Sequence, residues 1–253
     1  MSTILSAHHP IVTGFRAATI FIATAIISAC AEAPAPMATP GPTPTAGATE
    51  PEVVVNVFCD YQCPACRHAR GMVENVVTHF GGRVQVRYRQ FPLTGTHPLA
   101  RDAAVYALAA HRQGRFQCVH TSLYVRQDDW TELQPKAFKQ FAEELAHRCG
   151  LDLARFERDV QDPALGQQVD DDAEIARDLG ARGTPTIYVS GLEPERWPKP
   201  GVPHRRLMVP MLRQELREAV QLRESGVPLA ELPARKILGN TGDPARVRAL
   251  TTP

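Results

Sequence analysis

Apolar residues fall into distinct rhythms along this chain. Val53-Val54-Val55-Asn56-Val57-Phe58 is nearly continuous, the pattern of a strand covered on both faces. From Pro64 the apolar positions Cys66, Ala69, Val73, Val76, Val77 and Phe80 recur at helical spacing, and Gly81-Gly82 supplies the stop. Pro64 suits the first helical position, where a backbone N–H has no partner within the helix. Val84, Val86 and Tyr88 then alternate with Gln85, Arg87 and Arg89, a strand period. Strand, helix and strand in this order predict a βαβ unit, with a parallel pair and a right-handed crossover.

Residues 98–180 carry helical periodicity only, over Pro98 to Gln113, Arg115 to Val125, Pro135 to Cys149, Leu153 to Val160 and Pro163 to Gly180. Strand character returns at Thr186-Ile187-Tyr188-Val189, with a turn at Ser190-Gly191. A Pro-rich loop, a short strand near Arg205–Met208 and a helix from Pro210 to Arg223, burying Leu212, Leu216 and Val220, are expected next. The fold class is therefore α/β, in the order βαβ, helical block, ββα. Residues 51–97 and 181–223 form the α/β part, 98–180 an all-helical insertion, and 224–253 a C-terminal extension without a functional reading. No internal repeat is visible.

The N-terminal segment changes the picture of where the protein works. Arg16 precedes an uncharged stretch from Ala17 to Ala29, too short to span a bilayer comfortably but suited to a signal-peptide core. It ends in Ile27-Ser28-Ala29-Cys30, which resembles a bacterial lipobox. Residues 1–29 are then a signal peptide and Cys30 a lipidated N-terminus that anchors the chain to a membrane; ordinary cleavage nearby is the alternative. Residues 31–50, rich in Pro, Ala and Thr, lack the apolar side chains to offset folding entropy and are expected to be an extended, mobile tether. The 253 residues hold 28 basic and 27 acidic side chains, so no basic excess points to nucleic acid.

Candidate chemistry centres on Cys63-Pro64-Ala65-Cys66, opening a helix straight after a buried strand. Unpaired N–H groups and partial positive charge at a helix N-terminus favour an anion, so a Cys63 thiolate is expected to have a depressed pKa. Cys66, one turn on and facing inward, is placed to resolve a mixed disulfide. A structural disulfide or half a zinc site are the alternatives, but no second pair stands at metal spacing. Neither a metal nor a cofactor is expected.

Phe58-Cys59-Asp60-Tyr61-Gln62-Cys63-Pro64-Ala65-Cys66 resembles the active-site segment of DsbA-like thiol oxidoreductases. Gln90-Phe91-Pro92-Leu93 with His97-Pro98 is similar to that family's approach to its helical insertion. Leu179-Gly180-Ala181-Arg182-Gly183-Thr184-Pro185-Thr186 looks like its cis-proline segment. The resemblance spans about residues 52–223. It implies a thioredoxin fold, a cis Pro185 facing the Cys63 sulfur, and Thr184 backbone groups that hold an extended substrate. The chain departs from the family at Val57, where many members carry a buried acid, and at Cys59, often a small polar residue. Asp60 lies in the turn, away from that position.

Cys59, Cys63 and Cys66 also match the iron–sulfur spacing of radical-SAM enzymes, a reading that an exported chain with a helical insertion does not favour. Cys118 and Cys149 are expected to bridge two insertion helices, closing a loop of about thirty residues worth roughly 3.5 kcal/mol. Two buried thiols are the alternative. His68 is expected on the solvent face, His97 to pack or cap the insertion, and Trp130 and Trp197 to be loop aromatics. Three functions remain open. One is a dithiol oxidase of reduced exported proteins, reoxidised by a membrane quinone-linked thiol oxidase. The others are a reductase or isomerase with the same centre, and a peptide-binding, chaperone-like module.

Overall fold

The computed structural model describes residues 43–190 and 205–251. The signal segment, Cys30, Gly191 and Trp197 lie outside the described residues.

A four-stranded mixed sheet in the order β1-β3-β2-β4 organises the molecule. Its strands are β1 (Thr45–Gly47), β2 (Val53–Cys59), β3 (Val84–Gln90) and β4 (Thr186–Val189). β2 and β3 run parallel, from Val53 opposite Val84 to Cys59 opposite Gln90, and α1 (Pro64–Phe80) makes the crossover. β1 pairs antiparallel with β3, and β4 antiparallel with β2. This is a thioredoxin-like fold.

Alternation along β2 sorts its side chains between two layers. Val53, Val55 and Val57 pack with Cys66, Val73 and Val76 of α1, whereas Phe58 packs with Tyr188 and Ile237 on the opposite face. Between β3 and β4 the chain forms α2 (Ala100–Arg112), α3 (Phe116–Val125), α4 (Gln127–Trp130), α5 (Pro135–Arg148), α6 (Leu153–Gln161) and α7 (Pro163–Asp178). Cys118 in α3 and Cys149 just beyond α5 are joined by a disulfide, with Cα atoms 5.8 Å apart. A buried ion pair, Arg89 to Asp172 at 3.0 Å, ties β3 to α7.

Four expectations are corrected. The tether is not extended and free throughout: Thr45–Gly47 is an edge strand, and Pro44 O accepts from Tyr88 N at 2.9 Å. Main-chain hydrogen bonds to the open edge of β3 do this without large side chains, which is why apolar periodicity missed it. Gly47 is required there, since its φ is +97° and a Cβ would lie 2.3 Å from Val84 O.

Arg205–Met208 is not a strand. Helix α8 runs from Arg205 to Glu224 straight through Pro210. Met208, Leu212, Leu216 and Ala219 are buried and form one continuous stripe across that proline. Ala219 takes the inward position expected for Val220, which is 37% exposed. Trp130 is not a loop aromatic: it closes α4, is fully buried, stacks on Phe138 and donates from Nε1 to Leu123 O at 2.8 Å.

The C-terminal extension completes the core. Helices α9 (Leu232–Thr241) and α10 (Pro244–Thr251) bury Leu232, Ile237 and Leu250. Asn56, the one polar residue in the apolar run of β2, donates from Nδ2 to Leu250 O at 3.1 Å.

Candidate active site

The turn Asp60-Tyr61-Gln62 delivers Cys63 to the mouth of α1. Cys63 is the N-cap residue with extended backbone, and Pro64 occupies the first turn. Asp60, wholly buried, shapes this turn as an acceptor. Its Oδ1 takes Gln62 N at 2.7 Å and Cys63 N at 3.2 Å, while Oδ2 takes Leu93 N at 2.8 Å and pairs with His97 Nδ1 at 2.9 Å. Both carboxylate oxygens are thus engaged away from Cys66, so Asp60 does not stand in for the acid missing at Val57. Its backbone N–H, however, points at the Cys66 sulfur, 3.3 Å away.

The helical insertion clamps the same turn. Gln127 Nε2 donates to Tyr61 O at 2.7 Å and Cys63 O at 3.2 Å. Gln62 Oε1 accepts from Leu99 N at 2.6 Å, and Tyr61 Oη meets His120 Nδ1 at 2.9 Å. Gln127, Gln62 and His120 are buried polar residues whose roles carry no local sequence signal. His68 is exposed and pairs, among the described residues, with Pro64 O of its own helix.

The two sulfurs of Cys63 and Cys66 are reduced in this structure and differ in access. Cys63 is 8% exposed and Cys66 is fully enclosed. The Thr184–Pro185 peptide is cis, and Thr184 O accepts from Cys63 Sγ at 3.5 Å. The Thr184 hydroxyl is buried without a hydrogen-bond partner.

The expected depression of the Cys63 thiol is overturned. Contact with the Cys66 sulfur, followed by burial, pushes Cys63 up, outweighing the downward pull of Thr184 and the Cys66 backbone N–H. The second sulfur and low exposure set the direction here. Burial chiefly pushes Cys66 well above its ordinary value. Among the described residues no group of three or more His, Cys, Asp or Glu side chains is arranged to hold a metal ion.

A family model described as Thioredoxin matches residues 39–197. The chain belongs to the thioredoxin family. Within it, a thioredoxin-like oxidoreductase from Silicibacter pomeroyi is 27% identical with a TM-score of 0.54, over 74% of this chain and 95% of that one. BdbD from Bacillus subtilis aligns at 19% identity and TM-score 0.59, over 69% of this chain and 93% of that one. Wolbachia pipientis alpha-DsbA1 aligns at 15% and 0.60, over 72% and 94%. These last two likenesses are of fold.

A curated relative, Na(+)/H(+) antiporter NhaA 1 of Mycobacterium sp. strain KMS, is 34% identical over 149 residues, 57% of this chain. The chain spans only 23% of that relative's length, a partial match to a thioredoxin domain. Among the described residues no helix is long and apolar enough to cross a membrane.

Proposed function

We propose that this thioredoxin-family chain is an exported thiol-disulfide oxidoreductase that donates the Cys63–Cys66 disulfide to reduced envelope or secreted proteins. The observation that carries this reading is the asymmetry of the two sulfurs: Cys63 largely buried but 8% exposed and 3.5 Å from Thr184 O, Cys66 fully enclosed. A substrate thiolate attacks Cys63 Sγ of the oxidised enzyme, and Cys66 leaves as a thiolate. The substrate's second thiolate then attacks the substrate sulfur and releases Cys63. Two electrons pass from the substrate dithiol to the enzyme, whose pair a membrane quinone-linked thiol oxidase restores. Thr184 and Pro185 hold the substrate backbone beside Cys63 during exchange. A lipid on Cys30 keeps the body at the extracytoplasmic side of a membrane. One structural neighbour, a periplasmic thioredoxin-like protein from Salmonella enterica, supports an extracytoplasmic place.

A second reading, a reductase or isomerase, is favoured by the raised Cys63 thiol. Without thiolate stabilisation the reduced form gains little, and the disulfide is a weaker oxidant. The reduction potential separates the two. A value of about −120 to −180 mV supports disulfide donation, and one near about −270 mV supports reduction.

A further inference from the structure

We propose that Cys59 is a third redox-active thiol of this centre, which takes the disulfide from Cys63 by forming a Cys59–Cys66 bond. The proposal rests on the reading of Cys63 and Cys66 as a redox pair. Three observations place Cys59 beside Cys66. It shares the β2 face of Val57 and packs, half-buried, against the layer that contains Cys66, while Phe58 between them packs in the opposite layer. The Asp60 N–H lies 3.3 Å from Cys66 Sγ. Because that nitrogen follows Cys59 directly in the chain, the Cys66 sulfur lies within about 6 Å of the Cys59 Cα. Finally, Cys59 and Cys66 line one cavity of about 20 Å³ with Tyr61, Arg70 and His120. Arg70, whose guanidinium pairs with Glu74, turns a buried Nε without a hydrogen-bond partner to the cavity wall. The two side chains also interact electrostatically, Cys59 raising the Cys66 thiol.

The exchange balances without an external oxidant. In the oxidised enzyme the Cys59 thiolate attacks Cys66 Sγ, the Cys59–Cys66 bond forms, the Cys63–Cys66 bond breaks, and Cys63 leaves as a thiolate. The proton lost by Cys59 offsets the one Cys63 can take up, and no net electrons are gained or lost. Attack on Cys66 from solvent is blocked because that sulfur is fully enclosed, but Cys59 lines the same cavity. The result withdraws the disulfide from the surface and leaves Cys63 as a lone nucleophile beside Thr184. In that form the enzyme attacks wrong disulfides in a substrate rather than donating its own, so the same centre gains an isomerase mode.

The test is disulfide mapping by mass spectrometry of unreduced, alkylated peptides from the full chain, oxidised with glutathione disulfide. Wild type is expected to show Cys63–Cys66 as the main species with a measurable Cys59–Cys66 fraction, and Cys59→Ser to lose that fraction. Cys63→Ala is expected to convert wholly to Cys59–Cys66, consuming one glutathione disulfide and releasing two glutathione thiols. Cys59 that stays fully alkylatable in oxidised Cys63→Ala, with no Cys59–Cys66 peptide in wild type, overturns the proposal. Failure of wild type to form Cys63–Cys66, with Cys59–Cys66 still found in Cys63→Ala, overturns the proposed function instead and leaves the Cys59–Cys66 bond standing.

Discussion

His97 Nδ1 sits 2.9 Å from Asp60 Oδ2, joining the segment that leads into the helical insertion to the turn that presents Cys63. The same carboxylate accepts from three backbone N–H groups, those of Gln62, Cys63 and Leu93. Asp60→Ala leaves these donors unpaired in a buried site. It is expected to cost about 3 kcal/mol, against about 1 kcal/mol for His97→Ala. Urea unfolding of both variants checks the ranking, and equal losses would count against Asp60 as the organiser of the turn.

Acid sensitivity is expected to trace to His120. Burial holds its pKa down at about 3, so the folded protein keeps it neutral while the unfolded chain protonates it near about 6.5. A depressed folded pKa gives stability that is fully present above the unfolded value and lost as pH falls toward the folded one. Between about pH 6 and 4 this group contributes a slope of up to about 1.4 kcal/mol per pH unit. His120→Gln is expected to flatten that limb in denaturant unfolding at pH 7, 5 and 4. An unchanged slope would show that other groups set it.

Trp130→Ala removes a fully buried indole stacked on Phe138 and its bond to Leu123 O. A loss of about 3–5 kcal/mol is expected by thermal unfolding. A change below about 1 kcal/mol would mean that the α4 corner collapses to fill the space.

Anchoring is tested by Cys30→Ser, expected to lose lipid labelling and to move from the membrane fraction to the soluble one. Retention at the membrane together with an unlabelled wild type would contradict lipidation.

Much of the frame was legible because a continuous apolar run, a 3.6-residue stripe and a two-residue alternation each have one structural answer. That is why β2, α1, β3 and the helices around Cys118 and Cys149 stood where expected. The illegible parts are held by groups that periodicity does not see. Thr45–Gly47 joins the sheet through its main chain, Pro210 is carried through α8 by the stripe on either side, and Asn56 pairs with α10 across 194 residues. At the site, the Cys-x-x-Cys pair and Thr184-Pro185 announced themselves. Gln127 and His120 did not, because their partners come from distant turns. The thiol shift reversed direction because contact between two sulfurs depends on packing that spacing alone does not encode.

Trapping distinguishes Cys63 as the exchanging sulfur from Cys66 as its resolving partner. Reduced Cys66→Ala is incubated with a disulfide-containing peptide, and the covalent adduct is mapped by mass spectrometry. A persistent mixed disulfide on Cys63 is expected, absent from wild type, where Cys66 resolves it. An adduct confined to Cys59, or no adduct at all while Cys63 remains accessible to alkylation, would contradict it.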